Sequence, residues 1–127
     1  LRGALKLLRK RSLVFVLSDF RSSGWENPIA LLAAKHDVLA VRITDPIDSA
    51  LQNFGTVSFI DTESDAHLTL PTSSESFQTA WYDDNVFRKE KWKKFCISHA
   101  CRPVVMSTKD DPLHVLLQIF SKKEPLR

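Results

Sequence analysis

The chain has 127 residues, 43% hydrophobic and 26% charged, with a formal net charge of +3. That size and balance fit one globular domain spanning 1–127, with a core that needs no metal or disulfide staple, and they exclude a disordered tail or a collagen-like repeat. Two cysteines, Cys96 and Cys101, are too few for a disulfide framework and suit a reducing compartment, and no apolar run nears the ~20 residues of a membrane span.

Residues 1–10 open in helical phase, with Leu1, Ala4, Leu5 and Leu8 on one face and Arg2, Lys6, Arg9 and Lys10 on the other. No capping residue and no Met precede them, so the expectation is the end of a longer helix, from a fragment or a processed piece. The unbroken apolar run at 13–17 predicts a parallel strand covered on both faces. Asn27 as cap and Pro28 as first residue predict a helix that turns Ile29, Leu32 and Ala33 to the sheet. A second apolar strand, 38–43, stops at Thr44-Asp45-Pro46 and completes a βαβ unit.

Beyond Ser49 the period falls to two. Val57 and Phe59 alternate with polar neighbours, as do Leu68 and Leu70 after the acidic stretch 61–65, which predicts a hairpin inserted over 56–70. Thr72 and Glu75 have capping-box spacing ahead of a long helical region that Asp83-Asp84-Asn85 is expected to split in two. A third strand follows at 103–106. Asp110 or Asp111 then caps a last helix that begins at Pro112 and carries Leu113, Leu116, Leu117 and Phe120 along one face. The whole predicts an α/β fold of three layers: a mostly parallel sheet flanked by helices, with an inserted hairpin.

In open parallel sheets, ligands bind beyond the carboxyl ends of the strands. Those ends are polar here: Ser18 and Asp19 after the first strand, Thr44 and Asp45 after the second, Ser107 and Thr108 after the third. Carboxylates and hydroxyls on one rim are ligands that magnesium favours, but the same residue types also cap helices and close Asx turns, and both alternatives stand at this point.

The run Ser18-Asp19-Phe20, then His36-Asp37-Val38, Thr44-Asp45-Pro46, Gly55, Asp61 and Glu63, with Ser107-Thr108 before an amphipathic helix, resembles the bacterial domain-of-unknown-function family fifty-eight from about Leu5 to Phe120. The resemblance implies a divergent von Willebrand factor A-like, Rossmann-like domain with a metal-ion-dependent adhesion site on its carboxyl rim, working beside MoxR-type AAA ATPases in assembling or activating other proteins. By that likeness Asp19 matches the acidic residue that approaches the metal, and Asp45 belongs to the Thr-Asp-Pro motif. Asp48 stands for the family's acidic residue after Asp-Pro, and Ser64-Asp65 replaces its usual Gly. The Asp-x-Ser-x-Ser motif that supplies most metal ligands does not occur in this chain. The resemblance therefore implies the carboxyl-terminal half of such a domain. Asp19 is then a vestigial ligand, no stable metal site forms, and magnesium binds only in a longer parent. Without the other half, the strand at 13–17 offers an unpaired edge, and self-association there, by sheet pairing or by exchange of helix 1–10, is expected.

Other residues attract attention. Cys96, His99, Cys101 and His114 are zinc-ligand types without paired-knuckle spacing, and Cys96 reads as a buried structural thiol. Arg88, Lys89, Lys91, Lys93 and Lys94 form a basic stretch that reads as a solvated helix face. His36 reads as a hydrogen-bonded structural histidine. Trp25, beside Arg21, is either a partner-binding anchor or a lid folded back on the sheet. The leading expectation is a non-enzymatic, cytoplasmic protein-interaction domain with no cofactor, contacting its partner through Ser18, Asp19, Trp25, Thr44 and Asp45. It makes no contact with nucleic acid or membrane. The competing readings are a metal-dependent phosphoester hydrolase using Asp19 and Asp45, against which stands the lack of a glycine-rich phosphate loop, and a nucleic-acid-binding module.

Overall fold

The computed structural model describes residues 1–51, 55–60 and 67–121. In chain order these form α1 (Arg2–Leu7), β1 (Leu13–Ser18), α2 (Glu26–Ala33), β2 (Asp37–Thr44), α3 (Pro46–Ser49), β3 (Thr56–Ile60), β4 (His67–Pro71), α4 (Glu75–Ser98), β5 (Arg102–Ser107) and α5 (Pro112–Ser121). They divide into two compact units, Leu1–Asp45 with Glu90–Arg127, and Pro46–Lys89.

In the first unit β1, β2 and β5 form a parallel sheet in the order β1-β2-β5, as the βαβ pattern predicts. Register places Val14, Val16, Val38 and Ala40 on one face. There Val16, Val38 and Ala40 join Ile29 and Leu32 of α2, Trp92 and Cys96 of α4, Phe20 and Cys101 in the core, with Ala4, Leu5 and Leu8 packed against it. Leu13, Phe15, Leu17, Leu39 and Val41 lie on the opposite face, where Phe120 of α5 meets Phe15 with ring centroids 6.2 Å apart. Helices thus flank the sheet on both faces.

The strands are not equally covered. Val38, Leu39, Ala40 and Val41 of β2 are all buried, as a central strand requires. On β1 the expectation of two covered faces fails: Leu13, Phe15 and Leu17 are exposed, with β1 at the edge of the sheet and Phe120 of α5 meeting its second face at Phe15. The apolar face of α5 is likewise mostly open, with Ile119 buried while Leu113, Leu116, Leu117 and Phe120 are exposed.

Several helix boundaries differ from the sequence expectation. α2 begins at Glu26, ahead of Asn27, with Trp25 in the cap position and no side-chain capping bond. Pro28 therefore sits third in the helix, still within the turn whose amides lack intrahelical partners, so its missing N–H costs nothing. α5 starts as predicted: Asp111 Oδ1 accepts from the Leu113 amide at 3.0 Å, just before Pro112.

In the second unit β3 and β4 pair antiparallel, Thr56 opposite Pro71 and Ile60 opposite His67, which is the predicted hairpin. Its acidic connection, with Asp61, Glu63, Ser64 and Asp65, lies outside the described residues. Thr72 is not the helix cap. Its buried hydroxyl donates to the Gly55 carbonyl at 2.6 Å, and Ser74 takes the capping place, its Oγ accepting from the Phe77 amide at 3.4 Å. Gly55 has φ +76°, a conformation that a side chain strains. Trp81 Nε1 donates to the Ile47 carbonyl at 3.1 Å. The expected break at Asp83-Asp84-Asn85 does not occur, and α4 is one helix. Asp and Asn disfavour a helix interior only weakly, and here Arg88 pairs with Asp84 one turn away at 2.7 Å while Asn85 Nδ2 donates to the Trp81 carbonyl at 2.9 Å.

α4 ends in a Schellman motif, with the Cys101 amide donating to the Cys96 carbonyl at 2.9 Å and the Ala100 amide to Ile97 at 3.3 Å. Ala100 holds φ +56°, where glycine is usual. Ala100→Gly is therefore expected to stabilise the fold by about 0.5–1 kcal/mol, read as a higher midpoint in urea unfolding; an equal or lower midpoint would show that the left-handed alanine carries no strain.

Candidate functional site

The carboxyl rim of the three-stranded sheet is built from turns. At the end of β1, Ser18 Oγ accepts from the Phe20 amide at 3.0 Å and Asp19 Oδ1 from the Arg21 amide at 3.1 Å, while Arg21 Nε lies 3.9 Å from Asp19 Oδ2. These bonds hold Phe20 at φ +54°, a region that bulky residues rarely occupy. Burial offsets the strain: Phe20 is 6% exposed and packs on Trp92, centroids 5.5 Å apart, and edge-on to Trp25 at 5.3 Å.

The other two strand ends are tied to each other. Thr44 lies opposite Ser107, the Thr108 amide donates to the Thr44 carbonyl at 2.9 Å, and Thr108 Oγ1 donates to Asp45 Oδ2 at 3.1 Å. Thr44 Oγ1 donates weakly to the Met106 carbonyl at 3.4 Å. Asp110 Oδ2 accepts from the Ser107 amide at 2.7 Å and closes the turn. Ser18 is in register with Arg42, two residues before Thr44. The structure thus joins Thr44 and Asp45 to Ser107 and Thr108, whereas among the described residues the side-chain hydrogen bonds of Ser18 and Asp19 stay within their own turn.

Trp25 takes the lid position. It is half-buried and meets Phe20 and Phe95 edge-on, the latter at 5.1 Å. Sequence reasoning passed over Arg42, which is buried with its guanidinium 6.0 Å from the centre of the Trp92 ring. The signal available was a single charge inside an apolar strand. His36 differs from expectation: it is buried, and neither ring nitrogen has a hydrogen-bond partner among the described residues.

The zinc-type residues do not converge. His99 stacks on Phe95 with centroids 4.1 Å apart, its Nδ1 2.9 Å from the Phe95 carbonyl, while His114 Nε2 lies 2.9 Å from Gln118 Nε2. Among the described residues no three His, Cys, Asp or Glu side chains are grouped to hold a metal ion. Both thiols are free and buried. Burial, with the neighbouring Cys101 adding to it, pushes the Cys96 thiol up to about 12, and burial raises Cys101 as well.

A model of the family described as "Protein of unknown function DUF58" matches residues 2–91, which ends before β5 and α5. An uncharacterized protein of Mycobacterium avium is 38% identical over 56 residues, covering 43% of this chain and 33% of its own length. Uncharacterized proteins of Mycobacterium bovis and Mycobacterium tuberculosis are each 39% identical over 57 residues, covering 44% of this chain and 18% of theirs. The chain thus spans a third or less of the curated relatives it matches. No solved structure matches it. Among the described residues no helix is long and apolar enough to cross a membrane.

The thiol shifts set an alkaline limit. A thiol whose folded value exceeds its unfolded one favours the native state fully below the unfolded value, near 9, and that contribution is lost as pH rises through the folded value. Stability is expected to fall between about pH 9 and pH 12, and a thiol-labelling disulfide reagent at pH 8 should modify both cysteines only after denaturation. Rapid labelling of the native chain would contradict this.

Proposed function

The chain belongs to the DUF58 family of proteins of unknown function, and on that premise we propose that it is a non-enzymatic protein-interaction domain whose partner docks on the carboxyl rim of the sheet. The partner proposed is a MoxR-type AAA ATPase, in a cytoplasmic machine that assembles or activates other proteins. The fold proposed is the carboxyl-terminal half of a von Willebrand A-like domain. Magnesium would enter only where a longer parent supplies the remaining ligands, with Asp19 approaching it.

The observation that carries this reading is the turn at Ser18-Asp19-Phe20. A phenylalanine held at φ +54° by a buried ring presents an exposed carboxylate on the same carboxyl rim whose other two strand ends carry Thr44, Asp45 and Thr108. Strain of this kind collects at binding and catalytic sites. Exposure leaves this carboxylate where the surface of a partner chain can reach it. The cavity between β5 and α5, lined by Arg102, Val104, Asp111, His114 and Ile119, includes neither Asp19 nor Asp45. Trp25 braces Phe20 through an edge-on ring contact.

Binding of the purified chain to a purified MoxR-type ATPase, followed by surface plasmon resonance, tests the proposal. Replacing Asp19 and Asp45 together by Ala is expected to weaken binding at least tenfold, a loss of about 1.4 kcal/mol or more. Turnover of p-nitrophenyl phosphate with magnesium should stay at background. Unchanged binding by the double variant, or turnover that disappears with Asp19→Ala, would overturn the reading.

A further inference from the structure

The cavity between β5 and α5 has a volume of about 740 Å³, within the size range of small-molecule sites. Its walls are the end of α4 at Ile97, the strand β5 and one face of α5, on which Asp111, His114 and Gln118 recur at helical spacing. Every residue that lines it belongs to the first unit. It lies across the sheet from β1, the edge at which the fold proposed above adds its remaining strands, so those strands leave it uncovered.

The register gives the cavity a direction. Phe120 meets Phe15, which pairs with Leu39 and through it with Arg102, so the last turn of α5 lies over the row in which β5 begins. At the other end, Asp110 Oδ2 accepts from the Ser107 amide where β5 stops. α5 therefore runs back along β5. At 3.3 Å per residue Arg102 and Ser107 stand about 16 Å apart, which puts a cation at one end of the cavity and Asp110 with Asp111 at the other, over an apolar floor that includes Val104 and Val115.

These charges are not neutralised by one another. Among the described residues the Arg102 side chain has neither a hydrogen bond nor an ion pair, and no salt bridge reaches Asp110 or Asp111. The dipole of α5 places only about half a positive charge at its first turn, so two carboxylates leave that end negative. The strand adds a backbone contact. Because the Thr108 amide donates to the Thr44 carbonyl, the alternate residues Pro103 and Val105 turn their backbone groups away from β2, and both line the cavity. Pro103 has no N–H, which bars a long partner strand, whereas Val105 offers one donor and one acceptor to a short one.

We propose that this cavity binds a short zwitterionic peptide of about four or five residues in extended form, with its free amino terminus at Asp110 and Asp111 and its carboxylate at Arg102. The length follows from the 16 Å span, and the polarity from the placement of the charges. A guanidinium presents two N–H donors in the geometry of a carboxylate, and a pair of carboxylates suits an ammonium. A peptide so placed runs antiparallel to β5, the arrangement in which Val105 exchanges both backbone bonds with the residue opposite it. Small aliphatic side chains then rest on the apolar floor. This site is separate from the rim and does not depend on the rim reading.

Isothermal titration of the whole chain with tetra-alanine, N-acetyl-tetra-alanine and tetra-alanine amide tests this. Tetra-alanine is expected to bind saturably, and blocking either terminus to weaken binding about fivefold, the upper range for a solvent-exposed ion pair. Arg102→Gln should abolish the preference for the free acid over the amide while keeping that for the free amine over its acetyl form. Changing Asp110 and Asp111 together to Asn, which still accepts from the Ser107 and Leu113 amides, should do the reverse. The blocked peptides probe both ends on the unaltered chain, so the proposal stays testable if a variant fails to fold. No saturable binding of tetra-alanine, or equal binding of all three peptides, would overturn it.

Discussion

Everything described in the first unit depends on the parallel pairing of β2 with β1 on one side and β5 on the other. A strand hydrogen-bonded along both edges has satisfied its own backbone and can be buried on both faces without penalty. Val38, Leu39, Ala40 and Val41 are the result. Their burial gives α2 and the end of α4 one surface to pack on, and Ile119 of α5 the other; at about 25 cal/mol per Å² of apolar surface, such contacts are the main source of stability.

The same pairing makes the rim. Because the three strands run one way, their carboxyl ends lie at one edge of the sheet, and each chain segment must turn there at once to enter a helix or loop. Ser18, Asp19, Thr108 and Asp110 supply the short side-chain bonds that make those turns. The turn residues and the candidate binding residues are therefore the same groups.

Charge and apolar surface are distributed unevenly around this framework. β5 presents an edge that lacks an amide at Pro103, whereas β1 presents a complete one flanked by Arg11 and Asp19. Above β1, α5 leaves much of its apolar face uncovered. Exposed apolar faces of this kind attract further chain.

Much of this was legible in the residue order. The apolar runs at 13–17 and 38–43, the period-two hairpin and Asp111-Pro112 ahead of α5 all report local preferences that the tertiary structure honours. Where sequence and structure part, local chemistry offered two near-equal solutions. Thr72 and Ser74 both suit a cap, and the Gly55 carbonyl drew Thr72 away. Asp83-Asp84-Asn85 weakens a helix by little, and the Arg88 pair is enough to carry it through.

By itself the sequence determined the α/β class, the places of the five strands and the polarity of the rim, because hydrophobic period and turn chemistry act between near neighbours. Only the tertiary structure decided that β1 is half open, that Phe20 is held left-handed against Trp25 and Trp92, that Arg42 lies buried over an indole, and that Asp45 is tied to Thr108. Each of these joins or separates groups distant along the chain, and which distant groups meet is settled by the packing of whole elements, not by local preference.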